Sequence, residues 1–345
     1  MDLLSPGEPL PSSRVEGGLM ADDQHEGTPD ALPLRFGILA PQIVPYAVQV
    51  ERWRELDDYG FDSLWFADHF VNPAMPAGRW FEAYTLMAAA ATQTEHIRIG
   101  ALVTSITFRH PALLAKEALT IDHISDGRFE LGIGAAGASN DFEMTGLPAW
   151  ERPERARRFR EFVLAVDALL REESASFDGE HYRVTEAIMT PGPVQQPRPP
   201  LTLAAGGPLT MKFTARHADS WNQIPSDSGI GYHSVTSQEC LDTTLDRNEQ
   251  MDDFCAAVGR DPRTLRRSIL AGGGVTPDAV WSSPEAFRDF VGRYVEAGVN
   301  EFIFYYPSRI EQAEGHYERI AREVIPSLRR EATPRSDSLG DERGR

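Results

Sequence analysis

The chain is short of cysteine, lysine and long apolar runs, and each shortage removes a class of protein. Cys240 and Cys255 are its two thiols, fifteen positions apart, with no Cys-x-x-Cys and no histidine at zinc-finger spacing. A disulfide framework and a structural zinc site are therefore excluded. The longest alanine-rich stretch, residues 86–91, gives way to Thr92 and Gln93, well short of the roughly 18 residues a membrane-spanning helix needs. Positive charge is also scarce: 34 Lys and Arg stand against 52 Asp and Glu, a formal net charge of −18. That balance argues against nucleic acid as a partner. Lys116 and Lys212 are the two lysines, so no lysine cradle for a phosphorylated substrate is in view. The first residues lack a basic stretch followed by an apolar one and do not read as a signal peptide, so a cytoplasmic protein is expected.

What remains is ordinary globular material, 41% hydrophobic and 25% charged, enough for two domains of roughly 150 residues or one α/β barrel. Residues 1–32 and 331–345 are polar, without apolar periodicity, and are expected to be disordered tails. Met20 is an alternative start. Between the tails a short β-rich run, a turn and a helical segment recur eight times. The runs are 35–40, 63–66, 97–103, 128–132, 201–205, 220–224, 267–271 and 301–305. Several are nearly continuous in apolar residues, as strands buried on both faces are. One intervening segment places Phe287, Phe290, Val291 and Tyr294 on a single helical face, with Ser283 and Pro284 at its start and Gly298 at its end. The pattern predicts one (β/α)8 TIM-barrel domain over 33–330. The stretches 138–200 and 225–261, after the fourth and sixth strands, are expected as insertions over the C-terminal face of the barrel.

Candidate chemistry gathers at the predicted strand ends. Asp68 and His69 follow the second strand in SLWFADHF. They read either as a helix cap and a packed imidazole, or as groups that orient a cofactor and move a proton. After the third strand, VTSITFRHP (103–111) reads as a tight turn before a helix opened by Pro111. Residues 132–137 satisfy Gly-x-Gly-x-x-Gly, but three units precede them and ASNDFEMTG follows, so a dinucleotide fingerprint is not expected there. Small residues at that rim would instead let a flat ring approach the backbone. Gly206 and Gly207 precede a predicted helix and suit an anion, or form a plain turn. His217 is read as a helix C-terminal residue whose charge would favour that end. His96, His110, His123, His181 and His233 show no metal-binding pattern, and no metal is expected. Trp150, Trp221, Tyr232 and Tyr306 are candidate pocket aromatics or simple packing.

The segments FGILAPQ, GFDSLWFADHF, RIGALVTSITFRHPALLAKEALTIDHISDGRFELGIGAAG, TPGPVQQPRPPLTLAAGGP and ARHADSWN, in that order, resemble the bacterial luciferase-like superfamily of flavin and deazaflavin oxidoreductases. VEAGVNEFIFYYP near the eighth strand agrees. The resemblance implies a TIM barrel, usually a homodimer, that binds FMN or coenzyme F-420 at its C-terminal rim. TSITF followed by AAGGP is most similar to the F-420-dependent branch. By that resemblance Asp68 meets the coenzyme ring and His69 faces the substrate as acid or base. Thr104, Ser105, Ile106, Gly134, Ala135, Ala136 and Asn140 line the ring, and Ala205, Gly206, Gly207 and Pro208 the phosphate. A non-prolyl cis bond is implied at Ser105–Ile106. Gly137 and Pro73 stand where sugar-phosphate dehydrogenases of this branch carry Glu and Trp. Three readings follow: F-420-dependent hydride transfer on a small organic substrate, an FMN monooxygenase using O2 and a partner reductase, and a non-catalytic flavin-binding barrel.

Overall fold

Alternation along each short strand sends one set of side chains inward and the other out to the helices. The computed structural model describes residues 32–332 apart from 138, 148, 227–234, 274, 309–310 and 313. The tail expectations for 1–31 and 333–345 fall outside the described residues. In chain order the strands are β1 (Arg35–Leu39), β2 (Ser63–Phe66), β3 (Arg98–Ala101), β4 (Thr104–Ser105), β5 (Phe129–Gly134), β6 (Ser174–Asp178), β7 (Arg183–Ile188), β8 (Leu201–Ala204), β9 (Ser220–Gln223), β10 (Arg266–Ala271) and β11 (Glu301–Tyr305). The helices between them are α1 (Tyr46–Asp58), α2 (Ala83–Ala91), α3 (Pro111–Ile124), α4 (Ser139–Thr145), α5 (Arg152–Arg171), α6 (Pro208–His217), α7 (Ser237–Ala257) and α8 (Pro284–Glu296).

Eight parallel staves close into a barrel, with β3 and β4 forming one stave and β6 and β7 standing apart as an antiparallel hairpin. Closure is visible in the register, where Arg35 of β1 lies opposite Glu301 of β11 and Ile99 of β3 opposite Phe129 of β5. All eight strands expected from the sequence are present. Outward residues such as Phe36, Ile38, Leu64, Ile99 and Phe302 pack under the helices. Phe36 stacks on Phe302 at 5.7 Å and tilts against Phe287 of α8 at 6.1 Å. Ser283 caps α8 by accepting from the Ala286 amide, and Gly298 ends it at φ +90°.

The inward residues form layers. Leu39, Trp65, Leu102, Leu270, Val275 and Ile303 make an apolar layer near the rim. Trp65 needs the glycine beside it, because a Cβ on Gly100 would stand 2.6 Å from the indole. Beneath lie hydroxyls and an amide: Trp65 Nε1 donates to Ser63 Oγ at 2.8 Å and Asn222 Nδ2 to Ser268 Oγ at 2.8 Å. The floor is ionic, with Glu130 accepting from Arg35 at 2.6 Å and from Arg98, and Glu301 3.5 Å from Arg35.

Both expected insertions are smaller than predicted and only partly at the C-terminal face. Of 138–200, α5 is the fourth barrel helix, because its Phe159, Phe162, Val166 and Leu169 face must be covered by the core. The β6–β7 hairpin and the chain after it run down the outside of α3. There His110 meets the Tyr182 ring, Lys116 Nζ donates to the Thr190 carbonyl and His123 Nε2 pairs with the Gly192 carbonyl. That leaves α4 at the rim. Of 225–261, α7 is the sixth barrel helix, its own Cys240, Met251 and Cys255 forming part of its buried face. The last helix continues through Ile325–Ala332, two residues beyond the expected domain end, and Glu331 pairs with Arg288 at 2.7 Å. Among the described residues no helix is long and apolar enough to cross a membrane.

Candidate functional site at the strand ends

The site residues sit where β2, β4, β5 and β8 end side by side. Ser105 of β4 lies opposite Gly134 of β5, and Gly134 opposite Ala204 of β8. The Ser105 amide donates to Asp68 Oδ2 at 3.0 Å, which ties the chain leaving β2 to the same arc. Thus Asp68, Thr104, Ser105, Gly134 and Ala205 are brought to one stretch of rim. Ala135 and Ala136 continue it, with Ala136 at φ +62° and its carbonyl accepting from Arg155 Nη1 at 3.0 Å. The cis peptide near this arc joins Leu102 and Val103, not Ser105 and Ile106.

Asp68 is 4% exposed and held from one side. Its Oδ2 accepts from the Ser105 amide and, at 2.5 Å, from Arg109 Nη1. Oδ1 takes no hydrogen bond among the described residues and is not enclosed by them. Arg109 itself is shared: Nη2 donates to Glu82 at 2.7 Å, Nε lies 2.9 Å from Glu117, and the guanidinium sits 4.1 Å over the Tyr84 ring. The Tyr84 hydroxyl in turn bonds Thr104 Oγ1 at 2.6 Å. Burial pushes the Asp68 carboxyl above its usual range, although Arg109 and the Ser105 amide oppose it. Burial also raises Glu117, with Glu82 and Asp68 adding to the effect. Arg109, which burial alone would lower, is raised by the carboxylates around it. Three carboxyl groups thus share one cation at this side of the rim.

His69 is the next residue and faces differently. Its Nδ1 is 2.8 Å from Asp141 Oδ2, and Asp141 Oδ1 accepts from the Phe70 amide at 2.9 Å. Trp80 Nε1 donates to the His69 carbonyl at 2.8 Å. The helix cap expected as one reading of Asp68 belongs instead to Glu82, which accepts from the Tyr84 and Thr85 amides at the start of α2. Arg109, in TFRHP, and Asp141, in ASNDFEMTG, are not among the residues expected from the sequence. A lone arginine in FRHP and an aspartate beside Asn140 carry no signal until the loops are folded together.

At the far end of the arc, α6 opens with Gly207 as its N-cap, without a side-chain cap, and Pro208 at its first position. A Cβ on Gly206 would meet nothing nearer than Arg247 Nη2 at 3.7 Å, and one on Gly207 nothing nearer than Thr210 Oγ1 at 3.9 Å. Bare glycines, first-turn amides and a guanidinium bordering one space suit a phosphate group. Asn140, in the first turn of α4, is half-buried at the other side.

Other expectations move away from the site. Trp221 is fully buried in the core and donates to the Ala205 carbonyl at 2.8 Å, supporting the arc from beneath. Tyr306 packs on Arg52 of α1 at 4.5 Å and points to Glu55, and Trp150 lies under Arg158 at 4.3 Å. Tyr232 and His233 lie outside the described residues. His217 does end α6, but it stacks on Phe213 at 4.4 Å, and burial lowers its pKa. The charge at that helix end is therefore carried by Arg216.

Comparison with known proteins agrees with the barrel fold. Residues 24–228 match the family model for luciferase-like monooxygenases. An F-420-dependent glucose-6-phosphate dehydrogenase of Amycolatopsis mediterranei is 33% identical, over 83% of this chain and 94% of its own length. The enzyme of the same description from Intrasporangium calvum is 34% identical, over 84% and 95%. Among solved structures, an F-420-dependent secondary alcohol dehydrogenase in complex with an F-420–acetone adduct superposes with a TM-score of 0.72 at 18% identity, covering 86% of this chain and 99% of that one. A monooxygenase of Streptomyces bottropensis gives 0.68 at 21% identity, covering 85% and 99%. At these identities the two structures speak to the barrel fold.

Proposed function

The chain belongs to the luciferase-like monooxygenase family, and on that premise we propose that it is an oxidoreductase moving hydride between coenzyme F-420 and a small organic substrate. The observation that carries the reading is Asp68, a buried carboxylate pinned through Oδ2 and open at Oδ1, at one end of an arc whose other end suits a phosphate. The two relatives named above are F-420-dependent by description and support it. Bound along the arc, the coenzyme would supply the ring carbon that accepts or gives hydride. Asp68 Oδ1 would receive the ring edge, the Ser105–Gly134–Ala204 backbone would lie under the ring, and Gly206, Gly207 and the α6 amides would hold the phosphate.

His69 handles the proton. When an alcohol is oxidised, its C–H bond breaks with both electrons leaving as hydride, and its O–H proton passes to the imidazole; reduction runs the same steps backward. The family resemblance implies that Gly137 and Pro73 stand where the sugar-phosphate enzymes of this branch carry Glu and Trp, so the substrate proposed is not a sugar phosphate. A cytoplasmic homodimer belongs to the same reading.

Fluorescence titration of the purified chain with F-420 and, separately, with reduced FMN tests the proposal. Micromolar or tighter binding of F-420 alone is expected. Selective binding of reduced FMN would overturn it in favour of a monooxygenase supplied by a reductase, and O2 consumption would then be the assay.

A further inference from the structure

We propose that Asp141 is the positioning residue that sets His69 for proton transfer, holding Nδ1 protonated so that Nε2 is the acceptor, and that α4 is thereby part of the working site. The proposal rests on the reading of His69 as the proton carrier. Asp141 is 5% exposed, and a buried carboxylate persists only with partners for its oxygens. Both partners come from consecutive residues of the loop after β2. Oδ2 faces His69 Nδ1 at 2.8 Å, and Oδ1 accepts from the Phe70 amide at 2.9 Å.

That two-point grip has a chemical consequence. An ionised carboxylate only accepts hydrogen bonds, so the nitrogen facing it must carry the hydrogen, and in a neutral ring the lone pair is then left on Nε2. The Phe70 amide stops the carboxylate from turning away. From the other side Trp80 fixes the backbone by donating to the His69 carbonyl at 2.8 Å, and its ring meets the imidazole edge-on at 6.3 Å. The imidazole stays about a quarter exposed, with Nδ1 engaged. Asp141 directly follows Asn140, which with Gly134, Ala135 and Ala136 is assigned to the coenzyme, so the stretch that would line the ring also aims the proton carrier.

The test does not depend on turnover. In the full chain labelled with 15N-histidine and free of coenzyme, long-range 1H–15N spectra report which ring nitrogen of His69 bears the hydrogen, the signal being assigned with His69→Gln. The expected form is Nδ1–H with a bare Nε2. In Asp141→Asn the amide oxygen is needed by the Phe70 amide, which turns the NH2 toward Nδ1 and should switch the ring to Nε2–H. A wild-type ring already in the Nε2–H form, or an unchanged tautomer in the variant, would overturn the proposal and leave Asp141 as a staple between α4 and the β2 loop. The wild-type spectrum decides even where the variant fails to fold. With an F-420-coupled alcohol assay in hand, Asp141→Asn should lower kcat by about 100-fold or more with KM little changed. If the tautomer switches and kcat does not fall, the orienting role of Asp141 stands, and the reading of His69 as proton carrier is what fails.

Discussion

Arg109 donates to Asp68 Oδ2 at 2.5 Å while its guanidinium lies 4.1 Å above the ring of Tyr84. One cation therefore joins the carboxylate proposed for the coenzyme ring to the tyrosine that bonds Thr104. Replacing Arg109 by Met keeps the packing over Tyr84 and leaves Asp68 buried beside Glu82 and Glu117 without its partner. A loss of about 3–5 kcal/mol near neutral pH is expected. The pH dependence has a definite sign. Burial raises the folded-state pKa of Asp68, so the folded state holds the proton more tightly, and stability falls as pH rises from the unfolded value of about 3.9 through the folded one. Arg109→Met raises the folded value further. Its deficit against wild type should thus be small near pH 4 and grow to a plateau at higher pH, read from urea unfolding across that range. A deficit independent of pH would assign the effect to the lost guanidinium–ring contact with Tyr84.

A wall glycine and a rim glycine should behave in opposite ways. A Cβ on Gly132 would stand 1.9 Å from the Ala101 carbonyl oxygen, inside the barrel wall. Gly132→Ala should therefore cost about 1–3 kcal/mol or more in unfolding free energy. Gly206 has open space before Arg247, and Gly206→Val should leave the melting temperature near wild type while weakening F-420 binding about 10-fold or more, about 1.4 kcal/mol. Equal affinity in Gly206→Val and wild type would place the phosphate elsewhere.

The barrel floor predicts an acid limb of stability. Burial alone would raise Glu130, but Arg35 and Arg98 hold its carboxyl below the usual range. Its contribution is present above the unfolded value and is lost as pH falls through the folded one. Glu301, equally buried and with Arg35 more distant, is pushed up by burial and by Glu130. Glu130→Gln should cost about 3–5 kcal/mol at pH 7 and should flatten the loss of stability below about pH 4.3. Chemical denaturation from pH 3 to 7 would show whether that limb belongs to Glu130.

His69→Ala separates catalysis from binding. Because the arc proposed for the coenzyme runs from Asp68 to Gly207 without using the imidazole, F-420 affinity should stay within about twofold while turnover falls by about 10²-fold or more. Undiminished turnover would remove His69 from the reaction.

The barrel was readable because burial on both faces leaves its mark on each strand separately. IRIGAL, RFELGIG and EFIFY are local records of a two-sided core, and Ser283, Pro284 and Gly298 mark helix ends with local chemistry alone. The insertions were misjudged because amphipathic segments such as α5 and α7 announce that they are helices without announcing which face of the barrel they cover. Trp221, a candidate pocket aromatic by sequence, turns into the core for the same reason, since an indole in a strand points inward or outward according to register.

By itself, then, the sequence determined the repeated strand–helix order and the residues standing at the strand ends, Asp68 and His69 among them. Only the tertiary structure decided their company. Arg109 is 41 residues from Asp68, and Asp141 is 72 residues from His69. Hydrogen bonds act over about 3 Å, so partners this far apart along the chain are chosen by barrel closure, which sets neighbouring strand ends side by side.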